Sequence, residues 1–334
     1  SYSAAMTDQS NVMEWLLDSD PALRWQVERD LIHAEPAIWK ATRARVAIEG
    51  FGAELLAKQD PDGQWAGGAY FPAQYFDSPE AEKPGQPWVA TTWSLKDLRE
   101  WGVAASELGD TVAKLEANSR WEYDDLPYWG GEVDVCINSF TLANGAWLGA
   151  DVSALAAWFP AHQLADGGWN CEAEEGNSTR SSFHSTLNAL RGMLSYERIT
   201  GDASVTESRH RGEEYLLTRK LLYRATTGEQ VGSFVTQFVY PNRHRYSALA
   251  ALDYFRDAAQ FDCAEPDARL ADAIAVMRDA RQQDGTWLQT TPLKGRNWFT
   301  IDVPEGQPSR WLTLIGTRVL DWWDAGRADG RSLA

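Results

Sequence analysis

The sequence predicts an all-α chain, an (α/α)6 barrel or toroid of alternating inner and outer helices. Three observations point there. Six strongly apolar, helix-like stretches recur along the 334 residues. One turn pattern, Asp-Gly with Trp two residues after the Gly, appears three times. Strand-like alternation is confined to Val231–Val239, too little to build a sheet.

The apolar stretches come in order. Pro21–Ile32 follows Asp18-Ser19-Asp20, a cap-then-proline start. Trp88–Trp101, Cys136–Leu148, Phe183–Ile199, Tyr246–Ala259 and Trp311–Trp323 complete the expected inner ring. More amphipathic segments lie between them, such as Ser204–Thr218, and are expected outside.

The turns are Gln59-Asp60-Pro61-Asp62-Gly63-Gln64-Trp65, Gln163-Leu164-Ala165-Asp166-Gly167-Gly168-Trp169 and Gln282-Gln283-Asp284-Gly285-Thr286-Trp287. They close the helix-like stretches Phe51–Lys58, Val152–His162 and Ala268–Arg281. Gly accepts the positive φ that ends a helix. The Gln is expected to bond the freed backbone groups, and the Trp to pack over the turn. The recurrence, roughly every 110 residues, is about two repeat units of paired helices each. These turns read as scaffold, and the site is expected in loops at one end of the inner ring.

Composition narrows the function. At 44% hydrophobic the chain can bury a sizeable core as one domain, expected over residues 7–330. Ser1-Tyr2-Ser3-Ala4-Ala5 before Met6 reads as an appended remnant, residues 1–6 in all. A net charge of −17 argues against nucleic acid and anionic membrane as partners. No apolar run approaches the roughly 18 residues that span a bilayer. Three cysteines, Cys136, Cys171 and Cys263, suit a reducing cytoplasm better than a disulfide framework. Seventeen tryptophans suggest repeated structural use or an aromatic pocket wall. The expected partner is a partly apolar small molecule, and the chain a monomer or homo-oligomer.

The sharpest chemical feature is Asp134-Val135-Cys136, entering an inner helix just after Gly130-Gly131. His184 lies at the start of the next inner helix. Carboxylate, thiolate and imidazole are the zinc donor types. A helix N-terminus also favours the thiolate of Cys136. Cys171, two residues past Trp169, is either a fourth ligand that closes a structural site or a buried thiol.

The Gln-x-x-Asp-Gly-x-Trp turns, over about residues 50–325, resemble the repeats of squalene cyclases and protein prenyltransferase β subunits. Asp134-x-Cys136-x-x-Ser139-Phe140 and Phe183-His184 look like the zinc motif of the prenyltransferases. The resemblance implies the toroid and a Zn2+ held by Asp134, Cys136 and His184. Two family features lack a counterpart. Leu126–Gly131 holds none of the basic residues that cradle a diphosphate, and Glu132-x-Asp134 lacks the adjacent acid of an alkene-protonating motif.

Other polar and aromatic residues fall at expected helix starts. Arg243, His244 and Tyr246 are catalytic candidates, His244 or Tyr246 as proton carriers. Arg180, Arg245 and Arg310 are cationic candidates for substrate binding. Trp88, Tyr128, Trp129, Asn138 and Trp311 are candidates for its walls. The leading expectation is a zinc-dependent enzyme acting in the toroid cavity on a small, partly hydrophobic substrate. It is either transferase-like, with a zinc-held thiolate, or a zinc-assisted lyase or hydrolase. The alternatives are a metal-free terpenoid cyclase or isomerase, and a non-catalytic lipid- or partner-binding toroid with structural zinc.

Overall fold

The structure is a computed structural model that describes residues 2–173 and 178–328. Residues 329 and 330 of the expected domain, and residues 174–177 within it, lie outside the described residues. The described chain is all-α. In order its helices are α1 (Tyr2–Leu17), α2 (Pro21–Asp30), α3 (Pro36–Ala44), α4 (Gly50–Leu56), α5 (Thr91–Trp101), α6 (Thr111–Asn118) and α7 (Val135–Leu148). They continue as α8 (Ser153–His162), α9 (Phe183–Thr200), α10 (Thr206–Thr218), α11 (Ala248–Asp262), α12 (Ala271–Ala280) and α13 (Arg310–Ala328). Two short antiparallel strands, β1 (Trp287–Leu288) and β2 (Pro308–Ser309), pair late in the chain. No described helix is long and apolar enough to cross a membrane.

The six apolar stretches form α2, α5, α7, α9, α11 and α13. Val231–Val239 is not a strand but holds a 3-10 turn, Ser233–Thr236. Helices α1, α3 and α6 were not legible as separate elements. α3 and α6 are short and carry no side-chain cap that would mark their starts.

The chain divides into two compact units. The first takes in the chain up to Phe51, Leu217–Leu293 and the chain from Thr300. Within it, Arg318 of α13 bonds Asp253 of α11 at 2.6 Å and Asp30 of α2 at 3.1 Å. Burial opposes that charge, but the two carboxylates outweigh it and hold the guanidinium firmly protonated. The second unit comprises Gly52–Leu216 and Lys294–Phe299. There Arg209, with no exposed surface, bridges Glu197 at 3.0 Å and Glu213 at 2.9 Å and ties α10 to α9.

The three turns share one set of bonds. Gly63, Gly167 and Gly285 have φ of +92°, +103° and +91°. Each following Trp is fully buried. The indole N–H groups of Trp65, Trp169 and Trp287 donate to the carbonyls of Leu55, Phe159 and Met277. Their backbone N–H groups donate to the hydroxyls of Thr91, Thr186 and Thr313 at 3.0–3.1 Å. Each turn thus bolts the end of one helix to the start of another. Gln59 and Gln163 donate to the carbonyls of Gly63 and Gly167 as expected. In the third turn Arg281 occupies the equivalent place, its guanidinium 5.4 Å from the Trp287 ring centroid. Gln282 instead reaches back to Ala280.

Candidate metal centre

The second turn delivers a cysteine to the start of a helix. Ser182 N–H donates to the Trp169 carbonyl at 2.8 Å, closing the intervening loop. Cys171 N–H donates to the Ser185 hydroxyl at 3.1 Å. Trp169 and Cys171 are therefore both stitched to the first turn of α9, where Ser182 is the N-cap.

Asp134 caps α7, accepting the Ile137 N–H at 3.0 Å. The approach to this cap is held by Asn138. Its side chain bonds both the N–H and the carbonyl of Glu132 at 2.7 Å. Gly131 makes that possible: its φ is +72°, and a Cβ there would lie 2.4 Å from the Asn138 amide oxygen.

α7 and α9 then pack closely, and their starts bring three donors together. One donor atom each from Asp134, Cys136 and Cys171 lies within 4.8 Å of the others. The two sulfurs are 3.2 Å apart, and Cys171 Sγ is 3.3 Å from Asp134 Oδ1. Two side chains of α9 donate into the pair. Ser185 O–H bonds Cys171 Sγ at 3.1 Å, and Asn188 N–H bonds Cys136 Sγ at 3.3 Å. The hydrogen bond with Cys171, then burial and the nearby Asp134 charge, push the Cys136 thiol well above its ordinary value, with Asn188 opposing.

The donor set could hold a zinc ion. Zinc about 2.3 Å from each sulfur and about 2.0 Å from an oxygen implies tetrahedral edges of about 3.8 and 3.5 Å. The corresponding 3.2 and 3.3 Å separations need only small side-chain movements to match. Donors to each sulfur and a backbone N–H on the carboxylate are the outer contacts that orient metal ligands.

The sequence candidates separate into several places. His184 is the second residue of α9 and half-buried, but it stands outside the group of three. Cys171 takes part instead. Arg180 is exposed, and its carbonyl accepts from Asn170 at 2.8 Å. Trp88 is buried, with its indole on the Lys294 carbonyl and its ring 4.9 Å from Trp93. Tyr128 bonds the Thr92 hydroxyl at 2.9 Å and stacks on Trp121. Trp129 donates to the Val112 carbonyl. These contacts, with the Asn138 clasp, give Tyr128, Trp129 and Asn138 structural work in the second unit.

The remaining candidates belong to the first unit. Tyr246 has no exposed surface, and its hydroxyl donates to the Leu221 carbonyl at 2.7 Å. Arg243 is buried with φ +54°, and Arg245 bonds the Gln237 side chain at 3.1 Å. His244 is half-buried beside them. Trp311 stacks on Tyr240, centroids 4.3 Å apart. It lines, with Arg310, Asp302, Asp20 and Phe51, a cavity of about 250 Å³. Arg310 there donates to the Trp15 carbonyl at 3.0 Å. Burial raises the Asp302 carboxyl to about 6, against the bonds it accepts from Ser309 and Val303.

One residue of the centre went unnoticed in the sequence. Tyr70 is buried, its N–H and that of Phe71 held by Glu122 at 2.9 Å. Its ring packs 5.0 Å from Trp93, which in turn lies 5.0 Å from Phe140 of α7. Burial first, then the charges of Asp134, Cys136, Cys171 and Glu132, push its phenol well above the usual value. The phenol thus feels the charges of the three donors. Its only sequence signal is an aromatic in the Gly-rich segment after Trp65.

Comparison with protein-family models finds no match, and comparison with curated proteins finds none. Among solved structures, a protein from Actinoplanes aligns over 98% of this chain and 100% of its own. The identity is 13% and the TM-score 0.45, too low to bear on fold or function.

Proposed function

We propose that this chain is a zinc-dependent enzyme that binds its metal through Asp134, Cys136 and Cys171 and keeps one position for substrate. The observation that carries the reading is the meeting of these three donors at the start of α7. Three protein ligands with an open position are the catalytic pattern, whereas structural zinc takes four. A zinc ion with two thiolates and a carboxylate has one negative charge in excess, which disfavours hydroxide formation and favours keeping a substrate thiol nucleophilic. The transferase-like version of the function is therefore preferred.

The chain's own residues fill out the site. The Tyr70 hydroxyl donates a hydrogen bond to the substrate atom beside the three donors. Ser185 and Asn188 steady the two sulfurs. On this reading α2, α5, α7, α9, α11 and α13 are the inner helices of an (α/α)6 toroid like that of the squalene cyclases and prenyltransferases. The free thiols suit a reducing, cytoplasmic setting.

Metal analysis tests this. Purified protein is expected to hold about one zinc per chain. Cys136→Ala and Cys171→Ala are expected to lose it, and His184→Ala to retain it. Equal metal in wild type and both cysteine variants overturns the reading.

A second reading follows from the half-buried place of His184 next to Ser185. If His184 turns in as a fourth ligand, the zinc is structural and the chain binds a lipid or partner without chemistry. Cobalt-substituted protein separates the two. A visible spectrum altered by added 2-mercaptoethanol marks an open position. An unaltered one, together with metal loss in His184→Ala, marks a closed site.

A further inference from the structure

We propose that Cys136 and Cys171 form a dithiol that a hydroperoxide converts to a disulfide, and that this disulfide excludes the metal. The second half rests on the zinc reading above.

The argument begins with one distance. The sulfurs are 3.2 Å apart. A disulfide needs about 2.0 Å, and two thiolates on one zinc about 3.8 Å. The separation stands between those of the two states. The pair cannot hold both, because a disulfide sulfur has no thiolate charge to give a metal.

The surroundings assign the two roles. Cys171 is half-buried on the loop between Trp169 and Ser182, whereas Cys136 is buried in the first turn of α7. Cys171 is therefore the sulfur that a peroxide meets first. The Ser185 hydroxyl donates to it and holds that sulfur in place beside Cys136. Cys136 lies within reach to resolve the product, held in place by Asn188.

The chemistry balances. The Cys171 thiolate attacks one peroxide oxygen, breaks the O–O bond and releases hydroxide or alkoxide, leaving a sulfenic acid. The Cys136 sulfur then attacks Cys171 Sγ and displaces the hydroxyl, which leaves as water with the Cys136 proton. Two thiols and one hydroperoxide give one disulfide, one water and one alcohol (a second water when the oxidant is hydrogen peroxide). Two electrons pass from the sulfurs to the O–O bond.

The test uses the full chain carrying Cys263→Ser, so that the exposed third cysteine forms no intermolecular link. Reduced, metal-free protein is treated with an equivalent of hydrogen peroxide. The expected product has lost two hydrogens by intact mass, yields a Cys136–Cys171 linked peptide and reverts with dithiothreitol. Ser185→Ala is expected to form it several-fold more slowly. Zinc-loaded protein treated alike is expected to release zinc to a chelating dye in step with the disulfide.

Sulfinic or sulfonic acids without a linked peptide, or no reaction, overturn the proposal. Disulfide formed with the zinc retained overturns the exclusion. A reduced protein that takes up no zinc yet forms the linked peptide overturns the zinc reading and leaves the redox pair standing.

Discussion

Gly192 of α9 lies so close to Ser139 of α7 that a Cβ built on it would be 2.8 Å from the Ser139 carbonyl oxygen and 2.9 Å from its Cα. One turn nearer the helix starts, Asn188 reaches Cys136. The close approach of the two backbones therefore sets the distance between the residues that hold the sulfurs.

Gly192→Ala is expected to destabilise the protein by up to about 2 kcal/mol. Overpacking against a rigid backbone outweighs the roughly 1 kcal/mol that alanine gains in a helix. Because the helices must separate, zinc affinity is expected to fall as well. Denaturant unfolding and zinc titration check the pair of effects, and an unchanged stability refutes the packing argument.

The turn bonds predict a graded series. Thr186→Val leaves the buried Trp169 N–H without the acceptor it now has and is expected to cost about 1–3 kcal/mol. Thr186→Ser keeps the hydroxyl and is expected to cost less. Loss of this bond also loosens the loop that carries Cys171, so Thr186→Val is expected to bind zinc less well. A Thr186→Ser variant as damaged as Thr186→Val argues for methyl packing instead.

Asp302 gives a pH dependence. Its folded value of about 6 lies above the ordinary 3.8, so the fold favours the protonated acid. Its contribution to stability is therefore fully present below about pH 4 and is lost as the pH rises through about 6. Asp302→Asn, which cannot ionise, removes that loss. The melting temperature of the variant relative to wild type is expected to improve between pH 4 and pH 7. A difference that stays constant over that range rules the titration out.

Tyr70→Phe separates a substrate-facing hydroxyl from a packing one. The substitution keeps the ring packed on Trp93, so removal of the hydroxyl is expected to leave stability unchanged or slightly raised. Binding of 2-mercaptoethanol to the cobalt-substituted variant, read from its visible spectrum, is expected to weaken several-fold. A variant that unfolds more easily and binds the thiol normally assigns Tyr70 to the core.

The local part of this protein was legible in its residues. Apolar spacing marked α2, α5, α7, α9, α11 and α13, because helix formation and its termination depend on neighbours a few positions away. The Asp-Gly-x-Trp turns were readable as scaffold for the same reason, although the third puts Arg281 where a Gln was expected. Asp134 and Cys136 could be named together, since two residues and a helix cap fix their spacing. What joins them was not legible. His184 and Cys171 are both plausible donors by chemistry and position. Cys171 is the one that meets Asp134 and Cys136, because Ser185 and the Trp169–Ser182 bond turn its loop toward Asp134. Tyr70 enters through Glu122 and Trp93, more than twenty residues away along the chain. Local residue patterns sufficed for the helices and the turns, and for placing Asp134 and Cys136 together at one helix start. That Cys171 comes to lie beside Asp134 and Cys136 was decided by tertiary packing, because a separation of a few ångströms between distant segments depends on how closely α7 and α9 approach.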